Sequence, residues 1–247
     1  MTKQEINRAV YEALAIDYGC NPEDFTKKQF LVIKNENRPG RRQYQTEPAA
    51  FSLCANGTSV IIMCDERYYD WAIENFSEGS PEWIFEFPNL AKIEKKLNED
   101  GLCIADAHEF YLPLVDFPKA AVPDNIEIKW YDREEILQFK DKAIGKEAYA
   151  FNERYPDMLG VSASLDGELV AMAGASRDWQ SVWQIGIRVE EKAEGKGIGT
   201  LLTSLLKEKL ISMDIVPFYG TAVSHMSSQN VARRAGFYPA WAELYSK

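Results

Sequence analysis

At 247 residues, 46% of them hydrophobic and 12% aromatic, the chain has enough apolar material for one large core or two modest ones, and none of the composition of a disordered chain. A formal net charge of −10, with no face that concentrates lysine and arginine, argues against a nucleic-acid binder. No apolar run approaches the roughly 20 residues of a membrane-crossing helix.

The first segment, MTKQEINRAVYEALAIDYGC, is polar and then amphipathic. It has neither the apolar core nor the cleavage site of a secretory signal, and a cytoplasmic location is the expectation. Its spacing predicts a helix over Lys3–Ile16. Asn21-Pro22-Glu23-Asp24 reads as a capped turn into a short helical segment. The basic cluster Lys34–Arg42, built around Pro39-Gly40, reads as a solvated loop.

Phe51–Met63 reads as a hairpin around Asn56-Gly57. Helices are predicted over Asp65–Asn75 and Pro88–Leu97, and a long strand over Leu102–Leu114. On that strand Glu109 and Tyr111 share one face and His108 takes the other. Ala120–Asp124 reads as a connection, which divides the chain into an N-terminal α/β lobe, 1–120, and a second domain, 126–247. Cys20, Cys54, Cys64 and Cys103 all fall in the first part, without Cys-x-x-Cys spacing or paired histidines. That excludes the usual zinc patterns, so no metal is expected, and the thiols read as small buried apolar groups.

In the second half, Glu127–Trp130 is a short strand and Asp132–Phe139 a helix with an acidic first turn. Leu159–Ser164 and Leu169–Ala173 are strands joined at Asp166-Gly167, a strong hairpin signal. Val182–Val189 is the next strand, and Ile215–Val223, rich in aromatic and β-branched residues, is another.

The most informative stretch is Trp183–Thr200, WQIGIRVEEKAEGKGIGT. It is a strand, a charged turn, and glycines at 195, 197 and 199 that open into a helix whose apolar face is Ile198, Leu201, Leu202, Leu205, Leu206 and Leu210. Glycines at a helix start leave outward-pointing amides with a partial positive charge and let a phosphate approach closely. A nucleotide-binding Walker loop requires Gly-x4-Gly-Lys-Ser/Thr, which fails here, and a dinucleotide fingerprint requires Gly-x-Gly-x-x-Gly, whose last interval is wrong.

The loop Glu194, Gly195, Lys196, Gly197, Ile198, Gly199 resembles the acyl-coenzyme A pyrophosphate loop of the GNAT acetyltransferase superfamily, Arg/Gln-x-x-Gly-x-Gly/Ala. Pro217–Tyr245, with Gly236-Phe237 closing a short helix, resembles that family's fifth strand, helix and last strand. The resemblance spans Ile126 onward and implies an α/β fold with a mixed sheet, acetyl-coenzyme A as co-substrate, and N-acetyl transfer to a primary amine.

It also implies that the fourth and fifth strands of that core part to admit the pantetheine arm. The N–H of Ile187 would bond the acetyl carbonyl, and Val189 the arm. The amides from Gly195 to Thr200 would hold the diphosphate, with Ser228 as the small residue against the cofactor. The family's usual first loop residue is replaced by Glu194, its strand glutamate by Trp183 and its tyrosine by Ala232. His225 is the candidate proton relay, with Tyr219 and Tyr238 as further candidates. The layout is similar to two-lobed bacterial members of the zwittermicin-resistance type, in which the first lobe helps to form the acceptor site.

A small-molecule amine is therefore the expected partner, without nucleic acid or membrane, and the oligomeric state is left open. The rival reading is a non-catalytic acyl-coenzyme A sensor.

Overall fold

The structure is a computed structural model that describes residues 1–36, 38–42 and 49–247. It is a mixed α/β protein. The chain runs α1 (Lys3–Tyr18), β1 (Gln29–Lys34), β2 (Phe51–Ala55), β3 (Ser59–Cys64), α2 (Glu66–Phe76), α3 (Phe87–Asn98), β4 (Ile104–Pro113), β5 (Ile126–Asp132) and α4 (Arg133–Ile136). It continues through β6 (Asp157–Leu165), β7 (Glu168–Ser176), β8 (Val182–Val189), α5 (Ile198–Ser212), β9 (Val216–Ala222), α6 (Met226–Arg234) and β10 (Phe237–Ser246). Two compact units share this chain. One comprises Met1–Ala9 and Tyr111–Pro239, the other Val10–Phe110 and Ala240–Lys247.

In the unit of residues 10–110 and 240–247, β2 and β3 form the expected hairpin. Gly57 has φ +80°, and the Asn56 Oδ1 accepts from the amides of Thr58 and Ser59, both at 2.9 Å. β3 pairs in parallel with β1 and antiparallel with β2, and β2 pairs antiparallel with the end of β10. β2 and β3 are buried on both faces, which accounts for their unbroken apolar sequence. Leu53, Val60 and Ile62 share one core with Tyr68, Ala72 and Phe76 of α2 and Ile93 and Leu97 of α3. Cys54 and Cys64 are buried free thiols.

The basic cluster is not simply a solvated loop. Lys34 ends β1, and the Arg42 guanidinium is 3% exposed between Asp17, at 3.1 Å, and Glu243, at 2.6 Å. Two carboxylates draw this cation inside, where a lone arginine would face a large desolvation cost. Asn37 of the cluster lies outside the described residues.

In the other unit β9 pairs in parallel with β8, and β8, β7, β6 and β5 follow in antiparallel order. Asp166 and Gly167, φ +52° and +79°, form the two-residue turn between β6 and β7. α5 lays Ile198, Leu202, Leu206 and Leu210 on Val161, Ala173, Ala175 and Ile185 of one sheet face. The small alanines let the helix approach closely. On the opposite face Tyr131, Ile136, Phe139, Ala148 and Tyr149 pack around Met172. The helix expected to run to Phe139 stops at Ile136 and tightens into a 3₁₀ turn over Leu137–Phe139.

Candidate active site

Pairing of β8 with β9 begins at Val182 opposite Val216 and ends at Ile185 opposite Tyr219. Both strands continue, β8 to Val189 and β9 to Ala222. On its other side β8 remains paired with β7 as far as Val189, opposite Ala171. Gly186–Val189 are thus anchored along one edge and carry no strand partner along the other. Such an edge accepts an extended ligand as a further strand. Ile187 and Val189 both lie in this stretch, and their side chains pack on the α5 core while the backbone stays at the edge.

Beyond β8 the chain turns through Glu191–Ala193 into the glycine loop. Gly195 and Gly197 have φ of +73° and +80°, the left-handed region that glycine enters without a side-chain penalty. Gly199 is needed for a different reason. A Cβ there would stand 3.2 Å from Val189 Cγ2 and 3.6 Å from Val231 Cγ2, so its absence seats α5 on β8 and α6. Among the described residues the amides from Gly195 to Thr200 have no backbone acceptor, and the first bonded one is Leu201, to Gly197 O at 3.0 Å. They crown a 15-residue helix, whose positive end favours an anion.

A cleft of about 330 Å³ opens beside this loop, lined by Phe117, Lys119, Lys196, Gly197, Thr200 and Arg234 among others. Lys192 is ion-paired with Glu168, while Lys196 and Arg234 line the cleft. Three cations, Lys119, Lys196 and Arg234, and a row of amides suit phosphate groups, and they offset the exposed carboxylate of Glu194. The Phe117–Pro123 wall of the cleft is fixed from α5. Lys207 Nζ, buried, donates to Ala235 O at 2.6 Å and lies 4.7 Å over the Phe117 ring, while the Ala120 amide donates to Glu208. Burial holds the Lys207 ammonium below its usual pKa range.

The remaining sequence candidates separate. The Ser228 hydroxyl lies 2.9 Å from the Tyr219 hydroxyl, and Tyr219 is buried, its pKa raised by that burial. Tyr238 contacts Asn7 and carries Lys3 over its ring. Trp183 and Ala232 are buried in the α5 core, as is Tyr111. His108 pairs with Asp106 at 3.2 Å. His225 is exposed at the N-cap of α6, its amide donating to Ala222 O and its carbonyl accepting from the Gln229 amide.

One element carries no sequence signal. Gly160, Gly174 and Gly186 stand in register across β6, β7 and β8, and the segment Glu147–Tyr149 is laid over them. A Cβ on Gly160 would strike the Tyr149 ring, one on Gly174 the Ala148 carbonyl and Tyr149, and one on Gly186 the Glu147 and Ala148 carbonyls. The strap is tied down by Asp157, whose carboxylate accepts from the amides of Ala150 at 3.0 Å and Phe151 at 2.8 Å. Burial raises the Asp157 pKa. Glu147 and Phe151 take φ of +66° and +49°, a conformation uncommon for residues with a Cβ. Glu147 Oε2 lies 3.3 Å from a terminal nitrogen of Arg188. The glycines are 14 and 12 residues apart, so only the strand register shows that they form one groove.

A glycine-capped helix start, a parted pair of parallel strands and a mixed sheet stand together in one unit. Residues 124–237 match the model of the Acetyltransferase (GNAT) family. A curated protein, histidinol-phosphate aminotransferase 1 of Idiomarina loihiensis, is 31% identical over 81 residues, which are 31% of this chain and 22% of that protein. The chain thus spans about a fifth of the length of the curated relative it matches.

Among solved structures, a GCN5-related N-acetyltransferase-like protein from Streptococcus suis is 16% identical, with TM-score 0.45 and 65% and 68% of the two chains covered. A GCN5-related N-acetyltransferase from Kribbella flavida is 20% identical, with TM-score 0.47 and coverage of 64% and 63%. A GNAT-family acetyltransferase from Colwellia psychrerythraea is 10% identical, with TM-score 0.44 and coverage of 100% and 97%. No described helix is long and apolar enough to cross a membrane.

Proposed function

We propose that this protein transfers the acetyl group of acetyl-coenzyme A to a primary amine, by direct attack while both are bound. The single observation that carries the reading is the junction of two features in one unit. The β8 edge freed beyond Ile185 leads into unbonded amides from Gly195 to Thr200. A thioester laid along that edge would meet the N–H of Ile187, and negative charge developing on its oxygen would be stabilised there. The diphosphate would rest on the loop, with Ser228 against the arm.

An alkylammonium has a pKa of about 10 and must lose a proton before attack. We assign the relay of that proton to solvent to His225, exposed where β9 gives way to α6. The acceptor in this reading is a small molecule, with residues 126–247 carrying the chemistry. Four free cysteines suit a reducing, cytoplasmic setting. An amine-library assay of coenzyme thiol release tests the reading. Release with small primary amines supports it, and turnover with peptides alone reverses the acceptor assignment.

The second reading, an acyl-coenzyme A sensor without turnover, is favoured by one fact. By the family resemblance Trp183 stands at the base position and Ala232 at the acid position, and both are buried in an apolar core. It requires coenzyme binding with no thiol release for any amine.

A further inference from the structure

Resting on the acetyl-transfer reading, we propose that Glu147 is the acceptor-side carboxylate of this enzyme, binding the ammonium of the incoming amine and taking its proton as the nitrogen attacks.

The strap crosses the glycine row from Tyr149, over Gly160, to Glu147, over Gly186. Gly186 is the first residue of β8 past the last β8–β9 pair, and it immediately precedes Ile187. The strap therefore delivers Glu147 to the point where the two strands part. It also does so on the correct face. Ile185 and Ile187 pack on the α5 core, so Gly186 and Arg188, alternating with them, face the other way. α5 fills its own side of the sheet, which leaves the strap side for a second substrate.

The backbone supports the same assignment. Glu147 is held at φ +66°, where asparagine or glycine would be at ease. Sparsely populated backbone conformations of this kind concentrate at ligand clamps and active sites. The side chain is 68% exposed, with one oxygen, Oε2, directed to Arg188. A carboxylate has lone pairs on both oxygens, and Oε1 is left for a donor. Arg188 fixes the group without consuming it. Charge selects the acceptor: an unhindered cationic amine gains a charge-assisted hydrogen bond here that a neutral nucleophile does not.

The step balances. The ammonium gives one proton to the Glu147 carboxylate, the freed lone pair forms the bond to the acetyl carbon, the carbon–sulfur pair leaves as the coenzyme thiolate, and the second proton of the acylated nitrogen passes to that thiolate, giving the amide and the free thiol. The proton then passes from Glu147 to solvent by way of the His225 relay proposed above, returning the carboxylate.

The test compares wild type with Glu147→Gln and Glu147→Asp on two kinds of acceptor, with the uncatalysed rate subtracted. Spermidine, tyramine and kanamycin are cationic at neutral pH, whereas hydroxylamine is uncharged. For each cationic amine turned over, Glu147→Gln is expected to lose about a hundredfold in kcat/KM, with a loss at least about tenfold smaller for hydroxylamine, which needs no ammonium-binding carboxylate, and partial recovery in Glu147→Asp. Acetyl-coenzyme A affinity and the thermal midpoint should match wild type in both variants. Equal losses on cationic and neutral acceptors, or no loss on either, overturn the proposal while leaving the acetyl-transfer reading intact. A wild type that binds no acetyl-coenzyme A, or turns over none of the acceptors, overturns both.

Discussion

Ile185 and Tyr219 are the last residues that β8 and β9 set opposite each other. Beyond that pair lie the backbone edge at Ile187 and Val189, the glycine loop it leads into, and the strap carrying Glu147.

Gly197→Asp separates charge from strain when set beside Gly197→Ala. A Cβ at Gly197 meets nothing within 4 Å, so alanine pays only for its φ of +80°, about 1 kcal/mol of stability. Aspartate adds a negative charge where the proposed reading would rest the diphosphate. Calorimetric titration should show acetyl-coenzyme A binding weakened at least about tenfold, some 1.4 kcal/mol, in the aspartate variant and much less in the alanine one.

Gly186→Ala drives a methyl group into the Glu147 and Ala148 carbonyls. Because the obstruction is backbone, the strap must move. The expected cost is about 1–3 kcal/mol by chemical denaturation, accompanied by lost turnover with coenzyme affinity retained.

Tyr149→Phe tests the strap's packing from the other side. The Tyr149 hydroxyl is buried without a hydrogen-bond partner, and a buried unsatisfied polar group costs about 1–3 kcal/mol. Phenylalanine should leave the thermal midpoint unchanged or raise it. Burial also pushes the Tyr149 pKa well above its usual value. The stability linked to its neutral form is complete below the unfolded pKa of about 10 and is lost as pH rises toward the folded value. Wild type should therefore weaken more steeply than the variant in alkaline melts.

Arg42→Met strands Asp17 and Glu243, both buried, without their shared cation. Removing one member of a buried ion network typically costs about 3–5 kcal/mol, and a urea titration should show a loss of that order.

His225→Ala should lower kcat more than it raises the amine KM if the imidazole relays a proton. Equal effects on the two constants assign it to the turn into α6.

The strands and helices with strong punctuation were legible in the sequence. Asp166-Gly167 and Asn56-Gly57 predicted their hairpins, and β8 falls on Val182–Val189 as read. β1, Gln29–Lys34, escaped because its residues are half-buried throughout and show neither clear alternation nor bounding turns. The glycine loop was readable because its three glycines are close in sequence. The groove under the strap was not, since Gly160, Gly174 and Gly186 become neighbours only through pairing, and nothing about Glu147 alone distinguishes it from other surface glutamates. Arg42 was misread for a similar reason, because Glu243 is 201 positions away.

The most direct test of the account is a titration of ¹⁵N-labelled protein with coenzyme A, following the backbone amides. The account predicts that the resonances of Gly195, Gly197, Gly199 and Ile187 move together in one saturable binding event. Saturable binding that leaves those four amides unmoved, or no binding at millimolar coenzyme, would contradict it.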